Sequence, residues 1–224
     1  MAKKNLKKGL FITFEGPEGC GKSTHALRVF GELKKEGYGC IFTREPGGTR
    51  VGEKIREILL DAGQGKIFPF TELMLFETAR SQIVREVIIP ALKKKQIVIC
   101  DRFNDSTVAY QGYAGIIPVR DIIKIDRYIT GGLVPDMTIL IDVDAAEGLR
   151  RVASHRAKDR MERKPISYHN KVRRGYLSIA ASDKKRIRVV RSMPDADDTY
   201  RAVRAAVMGY VRGAGRGRRA WRGV

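Results

Sequence analysis

Gly16-Pro17-Glu18-Gly19-Cys20-Gly21-Lys22-Ser23 fits the pattern G-x-x-x-x-G-K-[ST], and its two flanks decide the fold. Before it, Leu10 to Phe14 is a short apolar run suited to a buried strand. After it, Lys22 to Glu36 places Ala26, Leu27, Phe30 and Leu33 at helical spacing, and Gly37 and Gly39 close that helix. Strand, glycine-rich turn and helix together form a phosphate-binding loop. Its backbone N–H groups curl around phosphate oxygens at the positive end of a helix. On this reading Gly16, Pro17, Glu18, Gly19, Cys20, Gly21, Lys22, Ser23 and Thr24 bind ATP. Lys22 reaches the β- and γ-phosphates, and the Ser23 hydroxyl sits on Mg²⁺. Cys20, among N–H groups at a helix N-terminus, is expected either to have a reactive thiol of lowered pKa or to be a small buried filler.

Outward from the loop, short apolar segments alternate with helical ones. Cys40–Thr43, Ile97–Cys100, Thr138–Val143 and Ile187–Val190 read as further strands. Helices are expected over Val51–Leu60, from Pro69 through Phe76, Arg80 and Val84, and over Ala196–Val211. This alternation predicts an α/β fold: a five-stranded parallel sheet of the P-loop NTPase type, helices on both faces, and a short mobile lid. Ligands of such sheets bind at the carboxyl ends of the strands. Asp101 ends one apolar run and so belongs beside the metal, together with Ser23. Residues 150–164 are dense in charge and poor in apolar anchors, which reads as an exposed flap. One kinase domain over residues 1–211 and a basic, disordered tail over 212–224 are the expected organisation.

The 224 residues carry a formal charge of +19. Lys3, Lys4, Lys7 and Lys8 at one end and Arg212, Arg216, Arg218, Arg219 and Arg222 at the other supply much of it. The tail is expected to make at most a weak polyanion contact. Cys20, Cys40 and Cys100 match no metal-binding spacing, and an odd number argues against a disulfide framework. No run approaches the roughly 20 apolar residues that span a bilayer, and the basic N-terminus is followed by too short an apolar stretch for a signal peptide. A cytoplasmic protein without membrane contact is expected.

Phe14-Glu-Gly-Pro-Glu-Gly-Cys-Gly-Lys-Ser-Thr24, Arg44-Glu-Pro-Gly-Gly-Thr49, Asp101-Arg-Phe-Asn-Asp-Ser-Thr-Val-Ala-Tyr-Gln-Gly112 and Thr130-Gly-Gly-Leu-Val-Pro-Asp136 resemble the thymidylate kinase family, in that order and at its usual spacing. Leu73-Met-Leu-Phe-Glu-Thr-Ala-Arg80 is similar to its nucleoside-binding helix. The resemblance extends over about residues 9 to 210. It implies phosphorylation of dTMP to dTDP with ATP and Mg²⁺, on the way to dTTP, by a homodimer. It also implies roles for residues. Phe76 stacks on thymine and Arg80, four positions on and so on the same helical face, bonds the base edge. Arg44 and Arg102 clamp the acceptor phosphate. Ser106 and Gln111 contact the base, Tyr110 lies under the sugar, and Glu18 contacts the sugar of the monophosphate. Lys22, Asp101 and Arg102 are the catalytic residues of the core. The loop contains no arginine, as in the bacterial subgroup whose lid provides one. Arg156 and Arg160 are the candidates, four apart and so on one face if the flap is helical. Asp126 stands where the family has Asn, and Lys164-Pro165 departs from the usual lid. A kinase for another nucleoside monophosphate, and a nucleic-acid-stimulated NTPase, are the rival readings.

Overall fold

The computed structural model describes residue 4 and residues 6–63, 65–155 and 157–214. Five parallel strands form one sheet in the order β2-β3-β1-β4-β5: β1 Leu10–Glu15, β2 Cys40–Arg44, β3 Ile97–Asp101, β4 Met137–Asp142 and β5 Ile187–Arg191. All five lie where the apolar runs placed them, within two residues at either end. β1 is central, paired with β3 from Leu10↔Ile97 to Phe14↔Asp101 and with β4 from Ile12↔Met137 to Glu15↔Leu140. Every residue of β1 and β3 is buried, as expected of parallel strands covered on both faces.

Strand alternation divides the core. Leu10, Ile12, Phe14, Ile97, Ile99 and Ile139 pack against α1 (Lys22–Lys35) and α9 (Ala196–Ala214), including Ala26, Val29, Leu33, Val203 and Val207. On the other face Phe11, Val98 and Cys100 meet Ile83, Val84 and Ile88. These belong to α3 (Pro69–Ile83) and to the π-helical segment Val84–Ile88, which leads into α4 (Ile89–Lys93). The expected helix from Pro69 thus runs further than Val84, through a widened turn. α2 (Arg50–Leu60) is capped by the Thr49 hydroxyl, which accepts from Gly52 N at 2.9 Å.

Four helical stretches had no counterpart in the sequence reading. Asn104–Thr107 (α5) continues into a second π-helical segment, Val108–Tyr113. α6 (Val119–Thr130), α7 (Ala145–Ala153) and α8 (Ile166–Ser182) complete the layers. Between α7 and α8 the described residues form turns rather than a helix. Met161 and Glu162 in this stretch are buried, so the flap has an apolar anchor that its charge density concealed. α9 runs on to Ala214, three residues into the expected tail, and Arg212 pairs with Glu36 at 2.9 Å. Residues 215–224, where the rest of that expectation falls, lie outside the described residues.

Candidate active site

The phosphate loop joins β1 to α1 as the motif predicts. Gly16, Gly19 and Gly21 all have positive φ (147°, 65° and 87°), which L side chains resist. Gly19 is constrained from outside as well, because a Cβ there would lie 2.0 Å from the carbonyl oxygen of Gly148 in α7. A Cβ on Gly148 would in turn lie 2.1 Å from the Glu18 carbonyl oxygen, so loop and helix touch backbone to backbone. α1 begins at Lys22 without a side-chain cap, which leaves its first N–H groups open to an anion. Lys22 is buried, its Nζ 3.3 Å from Pro17 O and 3.9 Å from Glu18 Oε2.

Ser23 Oγ donates to Asp101 Oδ2, which brings together the two residues predicted to share a metal. Asp101 Oδ1 is buried without a partner. One hydroxyl and one carboxylate oxygen in need of a ligand fit Mg²⁺, which takes one or two protein oxygens and completes its shell with phosphate and water. No cluster of three or more His, Cys, Asp or Glu is placed to hold a metal among the described residues.

Arg102 follows β3 with φ +72°, one of two non-glycine residues of positive φ among those described. Its Nη1 donates to Gly16 O (3.1 Å), Ser106 Oγ (3.2 Å) and Tyr176 Oη (3.0 Å), and its Nη2 to Glu18 Oε1 (3.0 Å) and Tyr110 Oη (3.3 Å). Burial pushes the Glu18 carboxyl up, but Arg102, Lys22 and the Tyr110 bond outweigh it and hold the pKa at about 2. Beneath this cluster lies Glu15, wholly buried, which accepts from Phe103 N (2.7 Å), Ser106 Oγ (2.6 Å) and Tyr176 Oη (3.0 Å). Burial, and then the charge of Asp105, raise its pKa from 4.5 to about 7.

Phe76 and Arg80 share a face of α3, as their spacing predicts, and both line a cleft of about 470 Å³ that reaches back to Gly19 and to Gly21, Lys22, Ser23 and Thr24. Phe76 is half-buried, whereas Arg80 is 1% exposed. Arg80 bonds Glu45 (2.8 Å), Glu77 (2.6 Å), Asp126 (3.4 Å) and Thr107 (2.9 Å). A guanidinium has five N–H donors, so one, on Nη2, is left for the cleft. Burial, with help from Glu77 and Asp126, raises the Glu45 pKa to about 8 against the pull of Arg80. Ser106, Tyr110 and Gln111 line the same cleft, the last two from the second π-helical segment. Arg44 stands at its rim, exposed and paired with Glu53 at 3.0 Å.

Two expectations fail here. Cys20 is 1% exposed, and burial raises its thiol pKa despite Lys22 and the nearby N–H groups, so the helix N-terminus does not activate it. Arg160 is absent from the cleft lining: its Nε donates to Leu59 O at 2.7 Å and its Nη1 meets Glu72 at 2.6 Å. Arg160 lies in a turn rather than a helix, so the condition for a face shared with Arg156 is not met on its side, and Arg156 lies outside the described residues. Conversely, Arg56 and Arg151 line the cleft with no prior expectation. Arg56 sits seven residues after Thr49 on an ordinary amphipathic helix, where nothing in the pattern separates it from a surface arginine.

The chain matches the family model described as Thymidylate kinase over residues 14–203. It is 44% identical to a thymidylate kinase of Caldanaerobacter subterraneus subsp. tengcongensis over 92% of this chain and 99% of that one. Identity to the thymidylate kinase of Deinococcus radiodurans is 40% over 90% and 98% of the two chains. The crystal structure of thymidylate kinase from Ehrlichia chaffeensis superposes with a TM-score of 0.72 at 32% identity, covering 90% of this chain and 99% of that chain.

Proposed function

The chain belongs to the thymidylate kinase family and phosphorylates dTMP with ATP, and we propose that the cleft between the phosphate loop and Phe76 is where it does so. The observation that carries this is the cleft itself. At one end lie the loop and the Ser23–Asp101 pair; at the other lie Phe76, Arg80 and Gln111. Thymine stacks on Phe76, and the free Nη2 donor of Arg80 meets its O4. Arg102, whose Nη1 and Nη2 donors are already engaged, turns its Nε to the acceptor phosphate beside Arg44 and Arg56. Tyr110 and Glu18 lie along the sugar between them. Arg151, Val152 and His155 line the cleft from the end of α7 and give room for the nucleoside of ATP.

Ser23 and Asp101 would hold Mg²⁺, which neutralises charge on the phosphates. No general base is needed, because the phosphate of dTMP is already an anionic nucleophile. What the chain supplies is position and donors: Lys22 and the uncapped N–H groups of α1 hold the transferring phosphoryl group in line with the acceptor. We assign the lid contribution to Arg156 and a holding role to Arg160, given where Arg160 is bonded.

Phe68, Phe70, Met74, Ile123 and Tyr128 are exposed on and beside α3 and α6, two helices in contact with each other, and this supports a homodimer assembled through these helices. No helix among the described residues is long and apolar enough to cross a membrane. A panel of nucleoside monophosphates with radiolabelled ATP tests the function. Transfer to dTMP should exceed transfer to dCMP, UMP and dGMP; equal transfer to all four would sink the reading.

A further inference from the structure

One buried carboxylate outside the cleft lining controls what Gln111 can show to a base. Glu72, in the first turn of α3, is 5% exposed. Its Oε1 accepts from Gln111 Nε2 at 2.9 Å, and its Oε2 pairs with Arg160 Nη1 at 2.6 Å. Arg160 is tied in turn to the end of α2, through Nε to Leu59 O (2.7 Å) and through its backbone N to Leu60 O (3.2 Å). A carboxylate bonded to a guanidinium offers acceptors only. Gln111 must therefore turn its amide nitrogen toward Glu72, since the reverse orientation would set oxygen against oxygen. What remains for the cleft is the amide oxygen.

We propose that Glu72 is a specificity-determining residue. By fixing the Gln111 amide it presents an acceptor to the N3–H of thymine and opposes a base whose N3 is itself an acceptor, as in cytosine. This rests on the thymine-pocket reading given above. Glu72 is a positioning residue, acting through Gln111 and held by Arg160. Uracil has the same N3–H and O4 as thymine, so this device separates both from cytosine and leaves recognition of the 5-methyl group to other contacts.

The test is Glu72→Gln, assayed with ATP on dTMP, dUMP and dCMP. A neutral amide at position 72 accepts or donates, so the Gln111 amide is free to turn over. The dTMP-to-dCMP ratio of kcat/KM is expected to fall by about tenfold or more, because a hydrogen-bonding site that loses its orientation loses its discrimination. The change should appear in KM for dTMP and dUMP in parallel, with KM for ATP unchanged. A merely structural role would lower all three substrates in proportion, and that result overturns the proposal. If the single variant does not fold with Arg160 stranded, Glu72→Gln/Arg160→Gln removes both charges and should show the same loss of ratio. A wild-type chain with no preference for dTMP over dCMP would overturn the pocket reading and this inference together. A preference present in the wild type and unchanged in the variants overturns this inference alone.

Discussion

Replacing Glu15 by Gln removes one buried charge while leaving the shape of the site unchanged. The native carboxyl is raised from 4.5 to about 7, first by burial and then by Asp105, against the opposing pull of Ser106, Arg102 and the Phe103 N–H. In the unfolded chain it returns to its ordinary value. Between these two values the native protein holds a proton that the unfolded chain has released. The associated stability is therefore fully present below about pH 4.5 and is lost as pH rises through about 7. At about 1.4 kcal/mol per pKa unit, the interval corresponds to roughly 3 kcal/mol. Glutamine is isosteric: its oxygen can accept from Phe103 N, and its amide can donate to the hydroxyls of Ser106 and Tyr176, which accept as readily as they donate. Urea unfolding of both proteins at pH 5 and pH 8 provides the assay. At pH 5 the wild type should match the variant or exceed it by about 1 kcal/mol, the worth of one poorly made hydrogen bond. At pH 8 the difference should have moved in favour of the variant by up to about 3 kcal/mol. A difference that is the same at both pH values would show that Glu15 does not titrate where its surroundings place it.

Phe76→Ala should raise KM for dTMP well above its effect on KM for ATP, by the roughly 1–3 kcal/mol that base–aromatic stacking contributes; equal changes in steady-state KM would mean only that the fold was damaged. Gly148→Ala sets a Cβ 2.1 Å from the Glu18 carbonyl oxygen, and overpacking of this kind costs about 1–3 kcal/mol. KM for ATP should rise about tenfold, and an unchanged value would mean that α7 can shift without moving the loop. Arg156→Ala is expected to lower single-turnover transfer by at least about a hundredfold with little change in dTMP binding, and Lys should rescue it poorly; near-normal transfer would remove the lid as the source of that charge. Deleting residues 215–224 should weaken a salt-sensitive retention on DNA or RNA while leaving dTMP phosphorylation intact, and a large loss of kcat would place the segment in the enzyme instead.

The placement of Lys22, Ser23 and Asp101 in one cleft was legible because each follows from a position along the chain: the loop by its internal spacing, Asp101 by closing an apolar strand. Phe76 and Arg80 were legible for the same reason, being one helical turn apart. Glu15, Glu45, Glu72 and Tyr176 were not, because their work is done across the fold. Tyr176 reaches Glu15 across 161 residues, and Glu45 reaches Arg80 across 35. α8 escaped notice because its buried face includes His169 and Gly175, which dilute the helical pattern. The turns of the flap were not legible, because two arginines four apart imply a shared face only once a helix is present. Asp159 instead accepts from Met161 N and Glu162 N, folding that stretch into turns.

The strand order has a consequence for how the chain is made. β1 carries the phosphate loop, yet it pairs with no strand near it in sequence; its neighbours begin at Ile97 and Met137. A growing chain that has emerged only to residue 90 already contains every residue of the loop motif and has no strand to hold β1 in place. Closing such long loops costs entropy before any pairing returns it. Asp101 completes the site with Ser23 only when β3 has been inserted between β1 and β2, and the other edge of β1 stays open until β4 docks. Nucleotide affinity therefore arrives late in synthesis, as a property of the nearly finished chain, and until then the apolar β1 is exposed on both edges to whatever else can pair with it.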